Sequence, residues 1–403
     1  MKSHTLVPHW LTIIILMAVL LAGYLTAAEL KNATGFPLDD AWIHQTYAKN
    51  LGVFGEWAFL RGQPSAGSTA PAWTFWLAIG YWLKIDHFFW AFLSGAIALG
   101  CVAFWGARLV MRGTHNFGGF PWVSVFLISE WHLVWAALSG METVIFGAAV
   151  LAVFFELSNK NISTWKVGAL IGLSCWLRPD GITLLAPVLL VVGFSGETIK
   201  QRVQRALKLF VGFASLFIPY LFFNFYFAGS IWPNTFFAKQ AEYALSLQIP
   251  FLQRLISMMS LSLVGAGIIL IPGFIYASFR FLKDRAWWGI GAVLWWFGFT
   301  LLYTFRLPVT YQHGRYLIPA MPIFWIVGWI GSSFLIGHLN ISSSKTQILR
   351  FAGVLSLVLL LLAFLLLGGL AYSEDVAIIN TEMIDTAIWV ARNTQPGALI
   401  GAH

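Results

Sequence analysis

Two adjacent carboxylates lie in the stretch Gly35-Phe-Pro-Leu-Asp-Asp-Ala-Trp-Ile-His44, in a chain of which only 10% of the residues are charged. They follow the first long hydrophobic segment, Trp10–Ala28, which places them at the membrane surface or just outside it. Carboxylates beside an apolar surface cost free energy unless they bind a cation, take up a proton or pair with a base. Asp is also favoured at a helix N-cap, and an apolar helical pattern starts at Ala41. The stretch therefore predicts a helix cap at Asp39, a chemical role for Asp40, or both.

The composition is that of a polytopic membrane protein. Of the 403 residues, 59% are hydrophobic, with 35 Phe and 21 Trp, and the mean hydropathy is +0.77. The net charge of +8 is suited to anionic lipid headgroups. The sequence contains no basic, aromatic-rich soluble segment, so this positive charge does not indicate nucleic acid as a partner. Cys101 and Cys175 both lie in hydrophobic segments, so we expect no disulfide framework. We interpret the N-terminal apolar run as a retained helix rather than a cleaved signal peptide.

About eleven transmembrane helices are predicted from apolar segments near the length that a bilayer requires. These spans are 9–28, 88–108, 120–138, 143–157, 166–178, 180–195, 209–228, 257–280, 286–304, 316–337 and 347–371. The run Pro71–Leu83 is too short to cross, so we assign it to a first external loop, 29–87, as an interfacial or re-entrant helix.

The distribution of charge predicts the orientation of these helices. With a cytoplasmic N-terminus, the inner segments hold more Lys and Arg than the outer ones, and most of the carboxylates fall outside. A crossing at Pro71–Leu83 would instead turn the dense basic loop Lys200–Lys208 outwards. We therefore predict a multi-pass plasma-membrane protein whose acidic loops face the external or periplasmic side.

Polar residues from separate loops are expected to meet at that external face. Glu142 opens a helix, and Lys239 and Arg315 lie in later loops. Alone, an acid at a helix start interacts with the helix dipole, and an interfacial cation extends its charge towards water. When such residues meet at one face, they can do chemistry. An Arg side chain can bind a phosphate through two parallel hydrogen bonds, and a carboxylate can act as a general base or hold a divalent cation. Trp and Tyr offer faces for a sugar ring. The combination is suited to a phosphate-linked donor that is held in the membrane and attacked from outside.

The order of the motifs resembles the GT-C superfamily of lipid-phosphate-sugar-dependent membrane glycosyltransferases. Within it, the chain is most similar to the mycobacterial-type terminal arabinofuranosyltransferases and their bacterial relatives. The similar stretches are Asp39-Asp-Ala-Trp-Ile43, Tyr47-Ala-Lys-Asn-Leu51, Gly67-Ser-Thr-Ala-Pro-Ala-Trp73, Ser139-Gly-Met-Glu-Thr143, Leu177-Arg-Pro-Asp-Gly181, Pro233-Asn-Thr-Phe-Phe-Ala-Lys239 and Gly314-Arg-Tyr316 with Pro319.

The expected fold is therefore an all-α, GT-C-like bundle of about 11 transmembrane helices with interfacial helices in its large first external loop. We divide the chain into a transmembrane domain, 1–371, and the start of an external C-terminal α/β domain, 372–403. In the second part, Ile384–Arg392 is predicted to form an amphipathic helix and Ala398–His403 the start of a strand. Because about 30 residues cannot build a core, we expect this domain to be truncated.

The resemblance implies an inverting glycosyltransferase that moves a sugar from a polyprenyl-phosphate donor to a hydroxyl group of a glycan, lipid or protein acceptor. Asp40 or Asp39 would deprotonate the acceptor. Glu142 would position it, or share a divalent cation, Mg²⁺ or Mn²⁺, with the two aspartates. The residues predicted to bind the donor phosphate are Arg315, Lys239, Arg178 and His313. Those predicted to contact the substrates are Trp42, His44, Tyr47, Thr69, Trp73, Asn234 and Tyr316.

Two other functions remain open from the sequence. A transporter or flippase of a lipid-linked or anionic substrate would predict inverted repeats and broken helices at the bilayer midplane, whereas no internal repeat is visible. A lipid-linked glycan polymerase or ligase also uses external Arg residues, but usually needs no acidic pair after its first helix. Glu130 and His132 lie inside the third predicted span; we interpret them as a structural pair, although a buried acid in a membrane helix is also a functional candidate.

Overall fold

The computed structural model describes residues 6–114, 119–195, 198–232, 239, 243–338, 344–395 and 398. Its helices are α1 (Leu6–Glu29), α2 (Asp40–Phe54), α3 (Pro71–Trp82), α4 (His87–Thr114), α5 (Trp122–Ser129), α6 (Trp131–Ala137), α7 (Thr143–Leu157), α8 (Thr164–Leu177), α9 (Leu185–Phe194), α10 (Ile199–Ala228), α11 (Phe251–Ser260), α12 (Ile271–Lys283), α13 (Trp287–Arg306), α14 (Met321–His338), α15 (Ser344–Ile379) and α16 (Thr386–Asn393). Short 3-10 turns occupy Pro179–Leu184, Ala244–Gln248, Leu261–Leu263, Ala266–Leu270 and Gln312–Gly314, and a π-helical turn, Asn380–Asp385, joins α15 to α16.

The all-α polytopic class is confirmed. Among the described residues, six helices are long and apolar enough to cross a membrane: His9–Glu29, His87–Thr114, Ile199–Ala228, Ala266–Lys283, Trp287–Arg306 and Arg350–Asn393. Shorter apolar helices cover Thr143–Leu157, Pro179–Phe194, Phe251–Leu263 and Met321–Gly337. The count of eleven crossings stays a prediction.

Two predicted spans are interrupted in the structure. The span 120–138 breaks at Glu130, whose extended backbone ends α5 and whose side chain caps α6 by accepting the amide hydrogen of His132 at 2.9 Å. The span 257–280 breaks at Gly265, which has φ +98° and ψ −143°. That conformation suits glycine, which has no Cβ to clash with the backbone. Sequence hydropathy does not detect either break because the flanking residues stay apolar.

Other spans differ at their ends. Residues 315–320 form turns, so the helix predicted from 316 begins at Met321. The last predicted span is longer than expected, since α15 covers Ser344–Ile379 and continues through the π-helical turn into α16. The proposed division at 371/372 therefore falls within a continuous helical segment, and α16 corresponds to the predicted amphipathic helix. The predicted strand at Ala398–His403 lies outside the described residues except for Ala398, and the two-domain division stays a prediction.

Small residues bring several helices into close contact. A Cβ on Gly168 of α8 would lie 2.0 Å from the carbonyl oxygen of Leu209 in α10, and one on Gly212 would lie 2.1 Å from that of Trp165. In membranes, where burial of apolar side chains gives helices little reason to associate, this close backbone packing stabilises helix pairs. The same holds for α12 and α14, where a Cβ on Gly331 would lie 1.8 Å from the Gly273 carbonyl oxygen.

The first loop forms a compact layer over one end of the bundle. Helix α3 begins with Pro71, which is suited to the first helical position, and at 12 residues it matches the short helix predicted at Pro71–Leu83. It packs on α2 around a small apolar cluster that includes Phe36, Trp73 and Leu77. The Trp73 indole nitrogen donates a hydrogen bond to the Gly140 carbonyl oxygen at 2.9 Å, which ties this layer to the bundle.

This loop also contains a hairpin that was not predicted, formed by β1 (Ala58–Leu60) and β2 (Gln63–Pro64). Gly62 in its tight turn has φ +75°, which is typical of two-residue hairpin turns. Asn50 of α2 donates hydrogen bonds to the carbonyl oxygens of Ala58 and Phe59 and thereby holds the hairpin against the helix.

The polar motifs are gathered at the same end as the first loop, which we call the loop end. There, Lys31 pairs with Glu374, and Asn380 donates to the Thr34 carbonyl oxygen, so the C-terminal end of α15 lies beside the start of the loop. At other helix ends, basic residues make simple contacts, such as Lys166 with Glu156 at 2.5 Å. Segments that follow α1, α6, α8, α10 and α13, together with the C-terminal end of α15, lie at the loop end.

Candidate active site

A cavity of about 530 Å³ lies at the loop end. Its charged and polar lining comes from α2, the loop before α3, and the segments around Glu142, Pro179 and Arg315. The lining residues are Asp40, Ile43, His44, Gly67, Thr69, Met141, Glu142, Thr143, Arg178, Pro179, Asp180, Ile182, Thr183, Trp232, Lys239, Leu302, Tyr303, Arg306, Leu307, Arg315 and Tyr316. Concave sites with apolar walls and a few convergent polar groups are typical of substrate pockets.

Asp40 is the centre of one charged cluster in this cavity. As the first residue of α2, it presents its Oδ2 2.7 Å from the Lys239 Nζ and 2.7 Å from the Arg315 Nη2. The Tyr316 hydroxyl oxygen lies within hydrogen-bond distance of both cations, 3.0 Å from the Arg315 Nη2 and 3.3 Å from the Lys239 Nζ. We call these four residues the Asp40 cluster.

The two cations keep Asp40 ionised. Burial by itself would raise the pKa of Asp40, but Arg315 and Lys239 outweigh that effect and lower the pKa to about 2. Burial opposes the charge on Lys239 and Arg315 as well, yet the Asp40 carboxylate raises the pKa of both side chains. At neutral pH the cluster therefore holds two positive charges and one negative charge.

Arg315 retains unused hydrogen-bonding capacity. Only 6% of its surface is exposed, and its Nε and Nη1 have no hydrogen-bond partner among the described residues. Buried polar groups are nearly always paired, so orphaned donors in a cavity lining need an explanation. A planar guanidinium with free donors is suited to a carboxylate or phosphate, which it can bind through two parallel hydrogen bonds.

Glu142 is the centre of a second cluster. Its Oε2 lies 3.5 Å from the His44 Nε2, and its Oε1 lies 3.8 Å from the Arg178 Nε. Only 3% of Glu142 is exposed, and its Oε2 has no hydrogen-bond partner among the described residues. The free oxygen is able to accept a hydrogen bond from a ligand in the cavity.

His44 is held in place from its other side. Its Nδ1 lies 3.0 Å from the Ser68 Oγ and 3.2 Å from the Thr74 Oγ1, and these two hydroxyls are 2.8 Å apart. Burial lowers the pKa of His44, although Glu142 and Asp40 act in the opposite direction. His44 is therefore a neutral imidazole at neutral pH, with one ring nitrogen protonated. We call Glu142, His44, Ser68 and Thr74 the Glu142 cluster.

Arg178 is largely engaged within the protein. Its Nη2 lies 3.0 Å from the Asp180 Oδ2 and donates a hydrogen bond of 3.0 Å to the Tyr303 hydroxyl, which in turn donates to Asp180 at 2.5 Å. Tyr303 also stacks on Tyr316, with ring centroids 5.6 Å apart. Arg178 thus supports the cavity wall and has less free capacity for a phosphate than Arg315.

The structure brings together eight of the residues predicted for the site. Those that line the cavity are Asp40, His44, Thr69, Glu142, Arg178, Lys239, Arg315 and Tyr316. Asp180 and Tyr303 were not selected from the sequence. Asp180 follows Arg178 in the motif Arg-Pro-Asp, and that local pairing of opposite charges was an available signal. Tyr303 lies in an aromatic-rich span, where nothing in the sequence distinguishes it.

Three predicted substrate residues instead support the loop. Trp42 packs edge-on against Phe36, with ring centroids 5.4 Å apart. The buried Tyr47 hydroxyl shares a 2.6 Å hydrogen bond with Ser65. Trp73 binds the Gly140 carbonyl oxygen, as described above. None of these three lines the cavity, and Asn234 lies outside the described residues.

Asp39 and His313 also lie outside the cavity lining. Asp39 occupies the N-cap position of α2, but its side chain makes no capping hydrogen bond. His313 pairs with Asp375 at 2.8 Å, and Asp375 also accepts the indole hydrogen of Trp135 at 2.9 Å. The position of His313 therefore gives no support to its predicted role in phosphate binding.

Glu130 and His132 form the pair that we interpreted as structural. The His132 Nδ1 lies 3.0 Å from the Glu130 Oε2, and each residue is 1% exposed. Both lie outside the cavity lining, as does Gly265.

A divalent cation was predicted between the carboxylates of this site. Among the described parts of the chain, no group of three or more His, Cys, Asp or Glu residues is arranged to hold a metal ion. One Asp40 oxygen, Oδ2, contacts Lys239 and Arg315. A shared cation between Asp39, Asp40 and Glu142 stays a prediction.

The fold is similar to that of a solved membrane protein. No protein-family model matches the sequence, and the search of curated proteins gives no match. Two crystal structures of ArnT from Cupriavidus metallidurans, one bound to undecaprenyl phosphate and one in the apo state, are similar to this chain with TM-scores of 0.52 and 0.53. Each comparison covers 96% of this chain and 81% of that chain at 15% identity.

This chain therefore has an ArnT-like fold. At 15% identity the comparison shows the fold alone, and the arabinofuranosyltransferase-like subtype stays a prediction.

Proposed function

We propose that this protein is an inverting glycosyltransferase that uses a polyprenyl-phosphate-linked sugar. The observation that carries the proposal is Arg315, a buried cation with two donors that have no partner among the described residues, beside Lys239 in the cavity of a GT-C-like fold. The ArnT structure with bound undecaprenyl phosphate supports a polyprenyl phosphate as the lipid partner. Apolar residues of the same cavity, among them Ile182, Leu302 and Leu307, are suited to the first isoprene units.

Each cluster has a role in the proposed reaction. Arg315 and Lys239 bind the donor phosphate and stabilise the negative charge that develops on it as the glycosidic bond breaks. The acceptor hydroxyl oxygen attacks the anomeric carbon, the bonding electrons pass to the phosphate oxygen, and Asp40 takes the hydroxyl proton. One displacement of this kind inverts the configuration. Glu142, with its free Oε2, accepts a hydrogen bond from another hydroxyl group of the acceptor and positions it.

The acceptor in this proposal is a glycan, lipid or protein hydroxyl, and the sugar class is that of the terminal arabinofuranosyltransferases. The order of motifs in the sequence supports that class. A transporter would place broken helices around its substrate, whereas the breaks at Glu130 and Gly265 lie outside the cavity lining.

We further propose that the loop end faces the external side of the plasma membrane, in line with the charge distribution. Cysteine at the exposed position Gln63 should react from outside with an impermeant reagent, and cysteine at the exposed position Lys200 should not. The reverse labelling pattern would overturn the orientation.

Binding of undecaprenyl phosphate to the purified chain in lipid nanodiscs tests the donor site. Arg315→Ala and Lys239→Ala should each weaken binding about tenfold or more, since a hydrogen bond to a charged group contributes roughly 1.5–3 kcal/mol. Arg315→Lys should restore binding only in part, because Lys cannot make two parallel hydrogen bonds. Lys49→Ala is the control, as it removes an exposed cation of α2 that lies outside the cavity. Unchanged affinity in both cavity variants would show that the phosphate binds elsewhere.

A further inference from the structure

We propose that the Asp40 carboxylate occupies the donor-phosphate site in the resting protein, and that the donor exchanges with it and so releases Asp40 to act as the base. This inference rests on the proposed function and adds a regulatory step to the same site. Asp40 has two successive states in this proposal. Before the donor binds, its carboxylate is paired with Lys239 and Arg315; after the donor binds, the carboxylate is released from them.

The geometry points to exchange because one Asp40 oxygen contacts both Lys239 and Arg315. Its Oδ2 lies 2.7 Å from the Lys239 Nζ and 2.7 Å from the Arg315 Nη2, which is the position of a phosphate oxygen that bridges the same two nitrogens. Two anions cannot share that position. A donor whose phosphate oxygen bridges these two nitrogens therefore displaces the carboxylate.

The charge balance favours exchange over addition. The phosphate of a polyprenyl-phosphate sugar is a diester with one negative charge, the same as the carboxylate that it replaces. The phosphate has more acceptor oxygens than a carboxylate, and the Arg315 Nε and Nη1, which have no partner in the described part of the chain, can donate to them. The donor thus repeats the contacts of Asp40 and adds hydrogen bonds that Asp40 does not make.

The released carboxylate stays among groups that change its basicity. The charged and titratable groups that face Asp40 are Lys239, Arg315, Tyr316, Asp39 and His44, with Glu142 behind His44. Of these, the two cations are the main groups that suppress its affinity for a proton, and the single negative charge of the phosphate offsets one of their two positive charges. His44 lies one helical turn further along α2, on the same face of the helix as Asp40.

This exchange predicts that the donor binds before the base becomes effective. A carboxylate that is paired with two cations is a weak base, since efficient general bases have a pKa near the working pH. After exchange, the pKa of Asp40 rises towards its ordinary value. Proton transfer from the acceptor is therefore coupled to an occupied donor site.

The sign of one affinity change tests the exchange. In nanodiscs, Asp40→Asn should bind undecaprenyl phosphate about tenfold more tightly than the wild type, because the variant removes a competing anion that is held by charge-assisted hydrogen bonds. Asp40→Ala should show the same direction, which separates loss of charge from any effect of the amide. Asp86→Asn is the matched control: it removes one carboxylate from the same loop, outside the cavity, at a position where its oxygen accepts the Phe89 amide hydrogen.

The outcomes separate this inference from the proposed function. Weaker or unchanged binding in both Asp40 variants, with binding lost in Arg315→Ala, would overturn the exchange and leave the phosphate site in place. If the wild type does not bind undecaprenyl phosphate and Arg315→Ala changes nothing, the proposed function itself is wrong. Melting temperatures show whether the variant is folded. Added undecaprenyl phosphate should raise the melting temperature of Asp40→Asn more than that of the wild type, because the variant binds the lipid more tightly.

The pH dependence of transfer gives an independent readout. The acid limb of kcat/KM for the donor reports the donor-free enzyme, and that of kcat reports the loaded enzyme. Exchange predicts that the limb of kcat lies at higher pH, because the loaded enzyme no longer suppresses the affinity of Asp40 for a proton. Coincident limbs would contradict the proposal.

Discussion

Asp40 and Glu142 line the same cavity in opposite electrostatic situations. Asp40 contacts two cations at 2.7 Å through one oxygen. The charged or titratable neighbours of Glu142 lie at 3.5 and 3.8 Å, and its Oε2 has no hydrogen-bond partner among the residues described. The nearest neighbour of Glu142 is a neutral imidazole, and Arg178 is shared with Asp180.

The difference shows how one cavity can give two carboxylates different tasks. A carboxylate paired with cations stays ionised and is sensitive to any anion that competes for them. A carboxylate with an orphaned oxygen is ready to accept a hydrogen bond from a neutral hydroxyl group. We therefore assign Asp40 to the donor side and to proton transfer, and Glu142 to the acceptor side.

The largest expected effect is on turnover in Asp40→Asn. The amide keeps the shape of the side chain but cannot accept a proton, and general-base assistance contributes about 10²–10⁴ in rate. Transfer from a polyprenyl-phosphate sugar, measured at saturating donor and acceptor, should fall by that order. Asp39→Asn should lose far less, since the Asp39 side chain lies outside the cavity lining and makes no capping hydrogen bond. A larger loss in Asp39→Asn would move the base to Asp39.

A smaller effect is expected for Glu142→Gln. Losing one hydrogen bond between a charged group and a hydroxyl costs roughly 1.5–3 kcal/mol, so KM for the acceptor should rise about tenfold or more while donor affinity stays unchanged. Steady-state kinetics with the acceptor varied at saturating donor measure this. If kcat in Glu142→Gln fell as far as in Asp40→Asn, the assignment of the two carboxylates would be reversed.

The smallest effect concerns stability and His44. Burial lowers the pKa of His44, so the unfolded chain binds more protons than the folded protein as the pH falls through the unfolded pKa near 6.5. Stability from this residue is therefore present above that pH and decreases below it, by at most about 1.4 kcal/mol per pH unit. Melting temperatures at pH 8 and pH 5.5 should show a larger loss in the wild type than in His44→Gln. An equal loss in both would mean that His44 is charged in the folded protein.

Much of the site was predictable because its residues stand out against their surroundings. Asp40, Glu142, Lys239 and Arg315 are charged residues in a chain with few charges, and each follows or precedes an apolar span. Hydropathy places such residues at helix ends, and alternating crossings bring those ends together. Aromatic residues are harder to place by this reasoning: Trp42 and Trp73, predicted to contact the substrates, lie outside the cavity lining and contact Phe36 and the Gly140 carbonyl oxygen.

His313 shows why a position at the correct end is not sufficient. It lies two residues before Arg315, yet its ring meets Asp375 while Arg315 meets Asp40. The backbone explains the divergence, since Gln312 and His313 have positive φ values of 52° and 58° and the chain turns sharply there. Hydropathy and residue type contain no information about that turn.

The sequence by itself determined the membrane class, the placement of the polar motifs in loops and the presence of acids and cations at one end. These features depend on the free energy of transferring each segment from water into the membrane, which is a property of that segment's own residues. Only the tertiary structure decided which acid meets which cation. Lys239 meets Asp40 across 199 positions of sequence, and Arg178 donates to Asp180 and lies 3.8 Å from the Glu142 Oε1. Such pairings depend on distances of a few ångströms between separate helices, which the packing of glycine-lined helix pairs and the close contact of the first loop with Gly140 establish.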